Sequence, residues 1–475
     1  MVAKRPLLKG ILTLTTAGLL VRAMGMAYRV LLVRVTGSEV VGVFQMTFPL
    51  YRLCATAVSL GLPVALSRTV AESLARGDAA KVRTSFKVSF SLVLLNSIAA
   101  SALLLLGAHL LSGRVLSDDR THLAILMMPI ALAFTSISGI VRGYFHGHQY
   151  ATPPAIAQVV EQVVRIGVTL YLFRSLTGAT VASAAAIAML TMGIGEAAGF
   201  VTLLSMKLRW DRSNRETAAH PPAGRATATR QSAGRTASTR PPAARLPQPS
   251  NMNLISELLG MSLPLTAAGF ISTASHTIDA IVIPRRLMCG GFDSAQATVL
   301  FGRLSGMAMP VLFLPGLLVF PISTLLLPEV AASRAHGREI NLRRRLKQMT
   351  LLTLGITLAV SAGMLLLAHR ISTILYRTDE AAMLIERYAP AVPLLYIGYV
   401  LGSALNGLGK ARLVLASTAA GALVDFAVLY NTVSRPSVNI YGAIAGDMAG
   451  FALAAAINAI GLGLYLARDR SDRKK

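Results

Sequence analysis

Twelve segments of this chain are each long and apolar enough to cross a lipid bilayer, and no other feature limits its fold as strongly. They lie near 7–33, 40–66, 85–111, 121–145, 153–175, 179–208, 254–283, 296–328, 348–370, 384–407, 411–433 and 439–467. A helix needs about 20 mostly apolar residues to span the hydrocarbon core. Inside that core each backbone amide must be satisfied without water, which selects helices over open strands. With 54% hydrophobic and 14% charged residues over 475 positions, the chain carries more apolar side chains than a soluble core can hold, since such cores stop growing near ~250–300 residues. A soluble enzyme, a disordered chain and a small secreted scaffold are excluded. The first apolar run is too long for a signal-peptide core and has no small-residue cleavage site after it, so it reads as a retained span. The predicted fold class is an all-α polytopic membrane protein.

The net charge of +25 needs no nucleic-acid partner. With twelve spans, alternate loops fall on opposite sides. One set carries 31 Lys and Arg residues, the other 11, and Arg22, Arg29, Arg52 and Arg165 lie within spans. Basic loops stay on the cytoplasmic side, which places both termini in the cytoplasm and the protein in the bacterial plasma membrane. Arg142 is counted here as a loop residue. The segment 211–251 has a different composition. It has almost no large apolar residues, and arginine recurs at Arg225, Arg230, Arg235, Arg240 and Arg245 among Pro, Ala, Ser and Thr. It reads as a disordered basic cytoplasmic linker that divides an N-terminal six-helix bundle, 1–210, from a C-terminal one, 252–475.

The halves resemble each other. Thr16-Ala17-Gly18-Leu19 matches Ala267-Ala268-Gly269-Phe270, Pro49 matches Pro310, and Gly147 matches Gly409, in order and at nearly constant offset. Each half has an even number of spans, so both enter the membrane from the same side as parallel repeats. Two six-helix bundles around a central cavity predict a carrier that works by alternating access.

Ionisable residues inside spans are costly and usually face a cavity or a partner. Gly18, Arg22, Gly25 and Arg29 share one helical stripe at steps of 4, 3 and 4. Arg52 follows in the second span, with Gln45 and Ser59 seven residues to either side. Clustered guanidinium groups suit a phosphate or pyrophosphate, because the planar fork makes parallel charged hydrogen bonds. In the fifth span Gln158, Glu161, Gln162 and Arg165 share a face, and Glu161 and Arg165 form an i,i+4 pair in the favourable order. That pair serves either as a self-neutralised strut or as part of the cavity. In the second half Ser272, His276 and Asp279 share a face, Asp425 follows Ser417 and Gly421, and Asp447 lies in the last span. Asp279, Asp425 and His276 are candidates for H⁺ or Na⁺ coupling, set against plain helix–helix hydrogen bonding.

No phosphate-binding glycine loop occurs, so direct ATP use is not expected. No metal-ligand spacing occurs either, and Cys54 and Cys289 fit no disulfide framework. Neither a metal nor a cofactor is predicted.

The Arg22-x-x-Gly25 stripe, the run Arg142-Gly-Tyr-Phe-His-Gly147 and the stretch from Pro153 through Gln158, Glu161 and Gln162 to Arg165 resemble the stage V sporulation protein B group. That group lies within the multidrug/oligosaccharidyl-lipid/polysaccharide exporter superfamily. The resemblance covers nearly the whole chain outside 211–251. It implies the MATE-like fold of that superfamily and a flippase that moves an undecaprenyl-pyrophosphate-linked saccharide, lipid II for spore-cortex peptidoglycan, to the outer leaflet. It also implies that Arg22 and Arg52 face the central cavity. The related lipid II flippases place their next first-span arginine where Tyr28 stands here, with Arg29 one place later.

Two rival functions are weighed. A cation-coupled multidrug antiporter of the same superfamily would want acidic and aromatic groups in its cavity, whereas the first-half candidates are mainly basic. A membrane enzyme of polyprenyl-phosphate chemistry would want clustered carboxylates for a metal. The adjacent acidic pairs, Asp118-Asp119 and Asp379-Glu380, both fall in predicted outer loops.

Overall fold

The computed structural model describes residues 4–175, 178–219, 251–320, 323 and 339–472. Among them every regular element is helical. Large side chains such as Leu106, 86% exposed, and Leu366, 82% exposed, point away from the protein, as side chains solvated by lipid tails do.

The first two predicted spans form one element, α1 (Lys4–Ser59), without the loop expected between them. Its break is a single residue, Gly37, at φ 81° and ψ 174°. A residue with a Cβ would be strained there, so the direction change is written in one glycine. A short turn at Leu60 and Gly61 leads into α2 (Leu62–Ala75), which carries the second span further than its predicted end at 66.

The backbone N–H of Lys81 donates to Asp78, which caps α3 (Ala79–Leu110). Next come α4 (His122–Gly147), α5 (Thr152–Ser175) and α6 (Val181–Ala219). Arg142 sits inside α4 rather than in a loop. α6 also corrects the predicted linker boundary, since residues 211–219 continue the helix. Two contacts hold that extra turn: Lys207 pairs with Asp211 at 2.6 Å, and the Tyr144 hydroxyl donates to Asp211 at 3.0 Å. Linker residues 220–250 lie outside the described residues, as do Glu329 and Arg334.

α7 (Asn251–Cys289) opens the second half. α8 (Ser294–Gly302), capped reciprocally by Asp293 and Gln296, widens into a π-helical turn over Arg303–Ala308 and closes as α9 (Met309–Leu312). The helix breaks at 313–315 and resumes at 316–320. Pro310 and Pro315 cannot donate backbone hydrogen bonds, so this predicted span is a chain of short pieces up to residue 320. α10 (Glu339–Tyr376) follows, then α11 (Ala382–Tyr388) and α12 (Ala391–Gly407), bent by 45° between them. α13 (Ala411–Thr432) and α14 (Tyr441–Asp472) complete the described chain.

By length and composition eight of the described helical segments are able to cross a membrane, or nine with α11 and α12 taken together; the longest, 18–75, holds both limbs of α1 and α2. α4 packs on α3 and α6, and α14 packs on α12 and α13, while α1 touches both α5 and α6 on one side and α7 and α8 on the other.

Among the described residues, polar side chains tie the halves together at the end where α1 kinks. Arg120 donates to Asp118 at 2.5 Å, to Glu39 at 2.5 Å and to Thr298 Oγ1 at 3.0 Å, and Thr298 donates to Asp118 at 2.9 Å. Arg34 donates to the Leu375 carbonyl at 2.6 Å and also to that of Ile374, and Arg285 donates to Ser117 at 3.0 Å. Gly42 and Gly302 lie against each other, and a Cβ on either would overlap backbone of the other helix. At the opposite end an ion pair, Lys81–Glu257 at 3.0 Å, joins α3 to α7.

Candidate functional site: a cationic cavity beside the kinked helix

The two limbs of α1 line a common cavity of about 420 Å³, closed by α5, α6 and the broken helix of the second half. Gly37 explains how. Arg29 and Gln45 stand eight residues either side of it, and Arg22 and Arg52 fifteen either side. At 1.5 Å rise per residue those are about 12 Å and about 22 Å from the kink along each limb. Residues far apart in the chain are thereby brought to matching depths.

Arg22 and Arg29 are both in the cavity wall. The Arg22 guanidinium lies over the Phe320 ring, 4.9 Å from its centroid. Neither arginine has a carboxylate partner among the described residues. Both are exposed and line the cavity. Gln45 fixes the opposite limb, donating from Nε2 to the Ser305 carbonyl at 2.9 Å. Arg52 is placed differently. It is exposed and is not part of the cavity wall, but its charge acts on Arg29 and on His276 of α7.

α5 presents Gln162 and Arg165 to the same cavity. Gln158, one turn earlier, is half-buried and outside the wall. Arg165 is held from behind. Its Nη2 donates to Glu161 at 2.7 Å and lies 3.6 Å from Glu196, while Arg142 Nη2 lies 3.1 Å from Glu161 and 3.8 Å from Glu196. Two arginines and two glutamates from α4, α5 and α6 thus form a neutral buried quartet. Gly195 of α6 makes room for it, since a Cβ there would stand 3.0 Å from both the Arg165 Cβ and the Glu161 carbonyl. The quartet is incompletely hydrogen-bonded: Arg142 Nε, Arg165 Nε and Glu196 Oε2 have no hydrogen-bond partner, and neither has Oε1 of the neighbouring Gln162.

This cationic cavity on an all-helical frame agrees with what the chain is similar to. Residues 7–334 match the family described as polysaccharide biosynthesis protein, and residues 307–386 match the lipid II flippase MurJ family. The chain is 30% identical to stage V sporulation protein B of Bacillus subtilis (strain 168), across 96% of this chain and 83% of the relative. The chain belongs to the polysaccharide biosynthesis protein family. It is 24% identical to the lipid II flippase MurJ of the same organism, across 88% of this chain and 76% of the relative. The fold is shared with an inward-facing multidrug resistance MATE family transporter of the MOP superfamily, at a TM-score of 0.73 and 12% identity, covering 94% of this chain and 95% of that one. Membership makes this polysaccharide biosynthesis protein a multi-pass membrane transporter and not an enzyme.

In this family member the second half carries a different chemistry. Asp279 of α7, Asp425 of α13 and Asp447 of α14 are close enough to act on one another. The Tyr388 hydroxyl donates to Asp447 at 2.5 Å, and Asp425 Oδ1 has no hydrogen-bond partner. His276 belongs instead to the surroundings of Arg52 and is exposed. Among the described residues no three His, Cys, Asp or Glu side chains are grouped tightly enough to hold a metal ion. Ser272 has a side chain outside the described set. Both cysteines are free.

Sequence reasoning missed two members of the quartet. Arg142 was hidden by its place at the end of a span. Glu196 had a readable signal: it is an acid inside an apolar span, flanked by Gly193, Gly195 and Gly199.

Proposed function

We propose that this transporter is a flippase for a polyprenyl-pyrophosphate-linked saccharide, lipid II or a similar cell-wall or spore-cortex precursor, and that it carries the headgroup from the inner to the outer leaflet of the plasma membrane. The observation that carries this reading is a pair of guanidinium groups, Arg22 and Arg29, held at one cavity without a carboxylate among the described residues. A diester of pyrophosphate brings two negative charges to two unbalanced positive ones. Each contact is a charge-assisted hydrogen bond of the stronger kind. The names of the relatives, a lipid II flippase among them, support the same cargo class.

The basic loops put both termini in the cytoplasm, so the kinked end of α1 faces outward. The ties made there by Arg120, Arg34 and Arg285 make this an outer-closed arrangement. The cargo enters from the cytoplasmic leaflet with its polyprenyl tail left in lipid. The six-helix units on either side of the 211–251 linker then rock about the cavity. Asp279 and Asp425, with Asp447, are the carboxylates through which an H⁺ or Na⁺ gradient enters the cycle.

The test is reconstitution in vesicles with purified lipid II, followed by accessibility of the headgroup at the outer surface. Accumulation there, lost in Arg22→Gln, is the expected result. Transport of a cationic dye with no movement of lipid II would overturn the proposal in favour of a drug antiporter. Imposed proton and sodium gradients in the same vesicles assign the coupling ion.

A further inference from the structure

Arg165 faces two ways, with the quartet behind it and the cavity in front. Its Nη2 is held by Glu161 at 2.7 Å and approached by Glu196 at 3.6 Å, yet the side chain lines the cavity and its Nε donor is unused. The aromatic face of Tyr28, 5.7 Å from the guanidinium carbon, lies on the α1 side. Behind the pair, Arg142 reaches both carboxylates, at 3.1 Å and 3.8 Å, and is not part of the cavity wall. A strut alone would need only one arginine and one glutamate, whereas here a second arginine outside the cavity wall reaches both carboxylates and the one that lines the cavity keeps an unused donor, Nε, beside Gly195 of α6.

We propose that Arg165 is an exchangeable third ligand for the anionic headgroup: it leaves Glu161 and Glu196 for phosphate oxygens in the cavity, and Arg142 remains to neutralise the carboxylates it leaves. Glu161 and Glu196 are then competitors of the cargo, and Arg142 is a positioning residue that acts without touching it. The exchange sets selectivity. A weakly charged ligand does not draw Arg165 from two carboxylates, whereas a pyrophosphate offers enough oxygens to do so. This inference rests on the reading of the cavity as a pyrophosphate site and adds the identity and control of its third cation.

The relation has a sign that a structural role does not share. Glu196→Gln keeps the shape of the side chain and removes a competitor, so it tightens binding of the headgroup mimic. Arg165→Gln weakens binding by losing the ligand. Arg142→Gln also weakens it, because the departing guanidinium would leave two carboxylates with no cation. The double variant Glu196→Gln/Arg165→Gln binds no better than Arg165→Gln alone, since the tightening acts only through Arg165.

The experiment is isothermal titration of the purified, detergent-solubilised full chain with magnesium-free inorganic pyrophosphate. Thermal unfolding of each variant is measured alongside. Expected values are about threefold to tenfold tighter for Glu196→Gln and at least about tenfold weaker for Arg165→Gln, where tenfold corresponds to ~1.4 kcal/mol. Unchanged or weaker binding by folded Glu196→Gln overturns the exchange, as does tightening that survives in the double variant. Should Arg142→Gln fail to fold, the Glu196→Gln single and double variants decide alone. Absence of pyrophosphate binding by the wild type, or binding untouched by Arg22→Gln, sinks the cavity reading itself and this inference with it. Normal dependence on Arg22 with no tightening in Glu196→Gln refutes the exchange only.

Discussion

Replacing Arg120 with methionine should unlock the end of the bundle where α1 kinks. Arg120 serves two carboxylates in different surroundings: the Asp118 side chain is 4% exposed and that of Glu39 37%. An exposed pair such as the one with Glu39 contributes ~0–1 kcal/mol. Removing the partner of a buried carboxylate costs roughly 3–5 kcal/mol. Asp118 retains its hydrogen bond from Thr298 at 2.9 Å, which places the loss near the lower limit, about 3 kcal/mol. The penalty falls on the closed form alone, because opening that end hydrates Asp118. The equilibrium should therefore move toward the open form by about a hundredfold, at ~1.4 kcal/mol per factor of ten. A single cysteine at Leu317, which lines the cavity, in a chain with Cys54 and Cys289 changed to serine, reports the change. A membrane-impermeant maleimide added to intact cells should label it slowly with Arg120 present and much faster in Arg120→Met. Equal labelling rates at equal protein levels would show that the network holds nothing shut.

Arg22→Gln should abolish lipid-linked cargo transport in a complementation assay while membrane insertion, followed by fractionation, stays normal; full complementation would remove Arg22 from the binding site. Gly195→Val should push α6 from α5, because even a Cβ stands 3.0 Å from Arg165 and from the Glu161 carbonyl; overpacking of this kind costs about 1–3 kcal/mol and should appear as a lower melting temperature. Deleting 220–245 should leave transport intact, since that composition supplies a tether; transport lost at normal protein levels would assign the segment a further role.

The helical frame was legible because apolar length is a property of the chain itself. The i,i+4 pairing of Glu161 and Arg165 was legible for the same reason, and the structure brings them to 2.7 Å. The kink was not. A loop was expected over 34–39 where Gly37 alone turns the helix, since apolar periodicity carries no record of a single backbone angle. Arg142 and Glu196 acquire meaning only when α4, α5 and α6 pack together. The contact of Arg22 with Phe320 joins positions 298 apart in sequence, which no local pattern encodes. Arg52 shows the reverse limit: its span and depth were readable, but whether it entered the cavity wall depended on how the second limb of α1 rotates beyond Gly37.

The sign of the cargo follows from comparing two treatments of arginine in one half of the molecule. In the quartet the fold balances each guanidinium with a carboxylate at a cost in desolvation that only close pairing offsets. On the same cavity Arg22 and Arg29 are left without that balance, and Arg52 adds to the repulsion felt by Arg29. A cationic drug entering this space would meet like charges at roughly 1–4 kcal/mol per contact at 4 Å. Of the aromatic rings in the cavity wall, Phe320 is already covered by Arg22 and Tyr28 faces Arg165. An anionic headgroup reverses each of these terms. Carboxylates lie in the other half, around Asp279, Asp425 and Asp447, outside the wall of that cavity. The two halves are thus suited to opposite charges, which favours an anionic cargo with cation coupling over a cationic cargo. Arg22→Gln and Asp425→Asn should accordingly separate in the vesicle assay, the first abolishing headgroup binding and the second leaving binding in place while removing the response to an imposed ion gradient.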